Sequence, residues 1–430
     1  MKTYRNPTQK QWKRLSKRPT DNSDDLTKLA KQIFATVKDE GDKALRRYTT
    51  QFDGVDISSI QLTMTDVKKQ STKLASNVRH AIDQAYDNIQ VFHSVQVSDV
   101  ISRITTQDGV DCWREIRPIE RVGLYVPGGT APLISTALML GIPAQIAGCK
   151  QIVLATPPDK DGNISPAICY AALKVGVTEL IRVGGMQAIA AMTFGTESVS
   201  SVDKAFGPGN QYVMAAKQYA QEFGVAIDMP AGPSEVMIVA DISANPAFVA
   251  ADLLSQAEHG PDSQVVLLTT NKTVTRNVKK ELSFQLATLP RKSIAEKALE
   301  NSFCIEFDAI QSAINFANVY APEHIILSVV NPKAIAKQIN NAGSVFLGNY
   351  SPESAGDYAS GTNHTLPTNG WARSHGGLSV ESFVKKMTFQ QLTETGLKSL
   401  QTTIETLATA EGLDAHKRAV SIRFNEKKEK

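Results

Sequence analysis

Residues 121–148 read RVGLYVPGG followed by TAPLISTALMLGIPAQIAG, and the order of these parts decides the fold class. An apolar run from Val122 to Val126 meets Pro127, Gly128 and Gly129, and a helical pattern begins directly afterwards. That is a strand, a tight turn and a helix. The unit recurs downstream: KQIVLATPP precedes SPAICYAALKVG, LIRVGG precedes MQAIAAMTFG, and VDKAFGPGN precedes QYVMAAKQYAQEFG. Repeated strand–turn–helix units imply a parallel sheet flanked by helices. EVMIVA, QVVLLTT, CIEF, HIILSVV and AGSVFLG continue the pattern, giving two α/β blocks near 125–235 and 236–348.

Around these blocks the texture differs. Residues 24–51 and 66–92 each give an amphipathic helical pattern. Residues 349–377 are polar and Gly-rich without regular periodicity, and so long a loop in a compact protein is usually functional or disordered. A helical tail runs from 379 to about 418.

A chain of 430 residues exceeds what one core usually serves, so two or more domains are expected. A net charge of +3 over this length argues against nucleic-acid and membrane binding. The longest apolar stretch, 132–148, is interrupted by Gly141 and Pro143 and falls short of a membrane span. Cys112, Cys149, Cys169 and Cys304 are widely spaced, as expected of reduced thiols in a cytoplasmic protein. Residues 1–18 carry seven Lys or Arg and no acid, a composition shared with transit peptides. A single Ser, and Trp12 and Leu15 on one helical face, speak against that role.

Five of the seven histidines lie beyond residue 258. In SQAEHG, Gln256 and His259 are three apart at the end of an apolar helix, on one face, where two ligands could share a metal; a surface His at a helix end is the ordinary alternative. In SAGDYASGTNH, Asp357 is a hard oxygen donor and His364 a candidate for substrate contact or proton transfer, unless Asx-type hydrogen bonds merely hold the loop. Glu411 and His416 in AEGLDAHK fit an exposed helix end equally well. Glu323 and His324 in APEHIILS stand at the mouth of an apolar strand, where neighbouring side chains point apart. The loops GLYVPGGTAP, RVGGMQA and FGPGNQY place glycines between strand and helix, where free N–H groups suit a phosphate, but none is GxGxxG.

Taken together these segments resemble the histidinol dehydrogenase family: VGLYVPGGTAPLISTALMLGIPA, GGMQAIAAMTFGTESV, FGPGN, IDMPAGPSEVMIVAD, DLLSQAEHGPDSQVVLLT, APEHIILS, AGSVFLGNYSPESAGDYASGTNHTLPT and TIETLATAEGLDAHKRAV keep the family's order from about 120 to 420. The resemblance implies an α/β fold of two incomplete Rossmann-like domains, with small helical N- and C-terminal segments in an intertwined homodimer. Its boundaries would be 1–21 for the N-terminal segment, 22–124 with 236–374 for a larger domain, 125–235 for the NAD side, and 375–430 for the tail. It implies one Zn²⁺ per subunit on Gln256, His259, Asp357 and, from the partner chain, His416. Substrate contacts would come from Ser234, Gln256, His259, His324, Asp357, His364, Glu411 and His416, the last two from the partner. NAD contacts would fall on Tyr125, Gln187 and Asn210, with Glu323 and His324 as the acid–base pair.

The implied reaction is the four-electron oxidation of L-histidinol to L-histidine through bound L-histidinal, consuming two NAD, at the last step of histidine biosynthesis. His324 would serve as base in both hydride transfers, and Glu323 would activate the water added between them. A zinc hydrolase could use the same Zn²⁺, Glu and His, but would not need the three Gly-rich junctions. A metal-stabilised binding protein would leave Glu323 and His324 without purpose.

Overall fold

The computed structural model describes residues 1–18, 23–96, 102–128, 133–230 and 232–425. The chain divides into two units, Met1–Gln96 with Ile119–Phe383, and Val97–Pro118 with Val384–Lys430.

The first unit holds two six-stranded sheets. The N-proximal sheet lines up Gln61–Leu62, Glu179–Ile181, Gln151–Ala155, Arg121–Tyr125, Lys204–Phe206 and Ala226–Ile227. All pairs are parallel except the short Gln61–Leu62 edge. Numbered by sequence, its five parallel strands run 3-2-1-4-5, so the order reverses between Arg121–Tyr125 and Lys204–Phe206. The C-proximal sheet repeats this order with Phe303–Glu306, Gln264–Thr269, Glu235–Ala240, His324–Ser328 and Ser344–Leu347, and adds Lys2–Arg5 at one edge. EVMIVA and QVVLLT are buried at every position, because helices cover both faces of a parallel sheet and leave no polar side to alternate toward.

Each helix that follows a strand runs back across the sheet, so its C-terminal end returns to the amino edge of the strands. The helix Pro246–Ala257 shows this. Asn245 caps it, accepting from the Ala247 N–H at 3.0 Å, and Pro246 sits in the first turn, where a missing N–H costs nothing. Val249, Ala250, Leu253 and Leu254 pack it onto the sheet, and its last turn delivers Gln256 beside the start of the His324 strand.

Of the stretch 22–124, the helices Ser23–Glu40 and Asp42–Asp53 bury Ile33, Phe34 and Leu45 with Val153, Ile189 and Ala190 of the N-proximal block. Ser76–Ser94 likewise packs Ile82 and Ile89 with Leu140 and Leu154. Their apolar faces complete the helical layers over that sheet, as sequence-adjacent elements usually do. The N-terminal segment is not wholly helical: Lys2–Arg5 pairs with Phe303–Glu306, and among its described residues, 1–18, Gln9–Leu15 alone is helix, anchored by buried Trp12 and Leu15.

The second unit is a three-stranded antiparallel sheet of Ile104–Gln107, Val110–Pro118 and Val384–Leu392, followed by the helices Glu394–Ala410 and Asp414–Asn425. The tail expected to be helical from 379 therefore contains a nine-residue strand.

Candidate active site

The carboxyl edge of the N-proximal sheet and the amino edge of the C-proximal sheet border one cavity of ≈ 260 Å³. Pro127 and Gly207–Asn210 come from the first edge, and Ser234, Glu323 and His324 from the second. Gln256, His259, Asp357, Tyr358, His364 and Thr136 complete the polar part of the wall. Among the sequence-predicted residues, Ser234, Gln256, His259, Glu323, His324, Asp357, His364 and Asn210 thus share one space. Glu411 and His416 lie in the second unit, both exposed, at the end of Glu394–Ala410 and in the first turn of Asp414–Asn425.

Glu235 fixes the Glu323–His324 pair through its backbone. Its N–H donates to Glu323 Oε2 at 2.8 Å, and its carbonyl oxygen lies 3.2 Å from His324 Nδ1. This follows from register, since Val236 pairs with His324 across the parallel ladder. The Glu235 side chain is held in turn by Arg18, which donates twice to the carboxylate at 2.9 and 2.8 Å and lies over the Tyr320 ring. Arg18 and Glu235 are both buried, and neither role was legible from residue type alone.

His324 Nδ1 lies between the Glu235 carbonyl oxygen and Gln256 Nε2, at 3.2 and 3.1 Å, and in the neutral tautomer that donates to the carbonyl Nε2 carries the lone pair. That atom is buried without a hydrogen-bond partner, 3.7 Å from Asp357 Oδ1. Burial by itself lowers the His324 pKa, but Glu353, Glu323 and Asp357 outweigh it and lift the ring to about 10. A divalent cation between these carboxylates would replace the imidazolium as their counter-charge and let the ring stand neutral. Burial raises the Glu323 pKa, against the pull of His324. His259 lies at the exposed rim of the cavity, yet protein around its ring lowers its pKa, opposed by Asp357; burial does the same to His364. Both rings are therefore neutral near pH 7 and able to act as donors to a metal or acceptors for a proton. His364 Nδ1 sits 3.0 Å from the Asp357 carbonyl and Nε2 3.2 Å from the Thr136 hydroxyl.

Glu353 is a site residue the sequence reading missed. It is buried, on the short helix Glu353–Tyr358, and accepts from Gln256 Nε2 at 2.7 Å. Its four-residue spacing from Asp357, which puts both on one helical face, was the available signal. Gln256 Oε1, His324 Nε2 and Glu353 Oε2 are each buried and unpartnered, and donor atoms of His324, Glu353 and Asp357 lie within 4.8 Å of one another. Buried polar atoms without partners are costly, and a cation among them would satisfy several at once. The donor set of amide oxygen, imidazole and carboxylate fits a divalent ion such as Zn²⁺.

On the far side of Pro127 and Asn210, which line both spaces, lies a second cavity of ≈ 630 Å³. Tyr125, Gly184, Gly185, Gln187 and Asp53 line it. Pro127 and Asn210 follow the two strands between which the order reverses, the place where open α/β sheets bind ligands. The Asn210 side-chain oxygen caps the helix Gln211–Ala220, accepting from the Tyr212 and Val213 N–H groups at 3.1 Å each. Gly207 has φ 126, and a Cβ there would stand 2.2 Å from the Tyr125 carbonyl oxygen, so only glycine lets these two loops touch. The Gly185 N–H donates to the Tyr125 hydroxyl at 3.1 Å, and burial pushes that phenol up to about 12. Gln187 Oε1 is buried and unpartnered beside it, so this cavity also fits a polar ligand.

Comparison with known proteins agrees with this geometry. The histidinol dehydrogenase family model matches residues 16–424. The chain is 52% identical to histidinol dehydrogenase of Bacteroides thetaiotaomicron over 99% of both chains. It is 51% identical to the chloroplastic histidinol dehydrogenase of Arabidopsis thaliana over 99% of this chain and 92% of that one. The crystal structure of histidinol dehydrogenase from Elizabethkingia anophelis superposes with a TM-score of 0.95 at 53% identity, covering 100% of this chain and 99% of that one. The chain belongs to the histidinol dehydrogenase family.

Proposed function

We propose that the protein oxidises L-histidinol to L-histidine in two rounds at His324, with Glu323 acting between them. Membership of the family carries the coarser statement: the chain is an NAD-dependent oxidoreductase acting on histidinol in histidine biosynthesis. The observation that carries the finer one is the meeting of two sheet edges in one cavity, where buried His324 Nε2 has no partner.

Gln256, His259 and Asp357, with the partner subunit's His416, would hold Zn²⁺, which when bound would grip the substrate through its amine and imidazole nitrogens and orient the carbinol carbon. Tyr125, Gln187 and Asn210 would hold NAD, which would supply the hydride acceptor in each round. The N-termini of Gly185–Phe194 and Gln211–Ala220, whose first residues or cap line the second cavity, would suit its pyrophosphate. His324 Nε2 takes the hydroxyl proton as the carbinol C–H bond breaks, leaving the aldehyde. Glu323 then takes a proton from water, whose oxygen bonds to the aldehyde carbon, while His324 returns its proton to the aldehyde oxygen, giving the hydrate and a neutral His324. His324 takes a hydrate hydroxyl proton in the second round, and the carboxylic acid forms. Ser234, His364 and the partner subunit's Glu411 would hold the substrate's polar groups during both rounds.

Sharing of sites requires a homodimer, which the placement of Glu411 and His416 on the second unit supports. A cytoplasmic location belongs to the same reading; Lys2–Arg5 and Trp12 are built into the C-proximal sheet and its core. Purified protein with Zn²⁺, excess NAD and limiting histidinol tests the reading: two NADH per histidinol are expected. No NADH from fully metallated protein would leave a hydrolase or a binding protein instead.

A further inference from the structure

The cavity beyond Asn210 contains an acid that no cofactor motif announced. Asp53 ends the helix Asp42–Asp53, some seventy residues before the first Gly-rich loop, and its Oδ2 is buried without a hydrogen-bond partner. Its charge reaches the buried Tyr125 phenol. Gln187 Oε1, equally unpartnered, faces the same space. Two buried acceptors with nothing to accept from point to a ligand rich in donors. Phe52, half exposed and stacked flat on Tyr48, and Tyr212, 43% exposed, supply aromatic surface at the same cavity. Among the described residues no Lys or Arg lines it, and Asp53 is its only charged group.

We propose that Asp53 accepts hydrogen bonds from the ribose hydroxyls of the cofactor's adenosine half, and so selects NAD over NADP. This rests on the placement of the reacting nicotinamide beside His324. That end then occupies the first cavity, and a dinucleotide crossing at Pro127 and Asn210 must put its other end here. A vicinal diol offers two donors to one carboxylate. A 2′-phosphate removes one donor and brings about −1.5 to −2 charges against a carboxylate in a cavity that no described Lys or Arg lines. Dinucleotide-binding folds with GxGxxG place the corresponding acid about twenty residues after the loop. Here it arrives from an upstream helix packed on the same sheet, and although burial raises its pKa, hydrogen bonds from a diol would favour the ionised form.

The test is calorimetric titration of the full-length protein, wild type and Asp53→Asn, with ADP-ribose, 2′-phospho-ADP-ribose and nicotinamide mononucleotide. The wild type should prefer ADP-ribose to its 2′-phosphate by about 100-fold, and Asp53→Asn should shrink that preference about 10-fold or more. Nicotinamide mononucleotide binding should be unchanged. Equal weakening of both ADP-ribose ligands, or a selective loss of nicotinamide mononucleotide, would overturn the assignment. Should the variant not fold, the wild-type ratio decides: no preference for ADP-ribose refutes it. A protein that shows the preference yet makes no NADH from histidinol would refute the catalytic reading and leave this one standing.

Discussion

Gln256 Nε2 donates to Glu353 Oε1 at 2.7 Å, and that bond leaves Gln256 Oε1 buried without a partner. Turned the other way, the amide would oppose its oxygen to a carboxylate, so Glu353 selects the orientation in which the oxygen is free to bind a cation. Glu353→Ala should lower Zn²⁺ affinity about 10–100-fold, and Glu353→Gln by less, in competition with a chelator. Unchanged affinity in the alanine variant would remove Glu353 from the site.

His324 Nε2 also stands near Asp357, so it is placed to be either a base or a ligand. As a base it is dispensable for the metal. His324→Asn should keep Zn²⁺ affinity within about 3-fold while turnover falls about 10²–10⁴-fold. A loss of metal comparable to that of Gln256→Ala would make it a ligand.

Subunit sharing predicts complementation. Gln256→Ala and His416→Ala should each be inactive alone. Co-expressed, they should form mixed dimers with one intact site, restoring about a quarter of wild-type activity in the purified mixture. No recovery, with mixed dimers present, would put His416 in its own subunit's site or in none.

Asp252, on the helix that carries Gln256, has its carboxyl pushed up to about 7 by burial. The folded state then holds a proton that the unfolded chain releases near pH 4. The resulting stability is complete below pH 4 and lost as pH rises to 7. Since Asp252 is only partly buried, the loss is discounted to about 1–2 kcal/mol. In urea unfolding, Asp252→Asn should gain about that much on the wild type at pH 8 and nothing at pH 4. A pH-independent difference would contradict it.

The parallel sheets were legible because strands buried on both faces must be continuously apolar, as in Glu235–Ala240. The strands Lys2–Arg5 and Val384–Leu392 were not, because their side chains are largely exposed and show no such run. Glu323 and His324 stood out at the start of a buried strand. Glu353 hid in a six-residue helix rich in Ser and Gly, and Asp53 among the ordinary acids of an amphipathic helix. Arg18 could not be seen at all, since its partner Glu235 is 217 residues away.

The central claim divides labour between adjacent residues: His324 moves the proton in both rounds and Glu323 only the water. Single-turnover rates of Glu323→Gln with histidinol and with histidinal, each at saturating NAD, test it directly. The account predicts oxidation of histidinol within about 10-fold of wild type and oxidation of histidinal slowed about 10²–10⁴-fold. Equal slowing of both would contradict it.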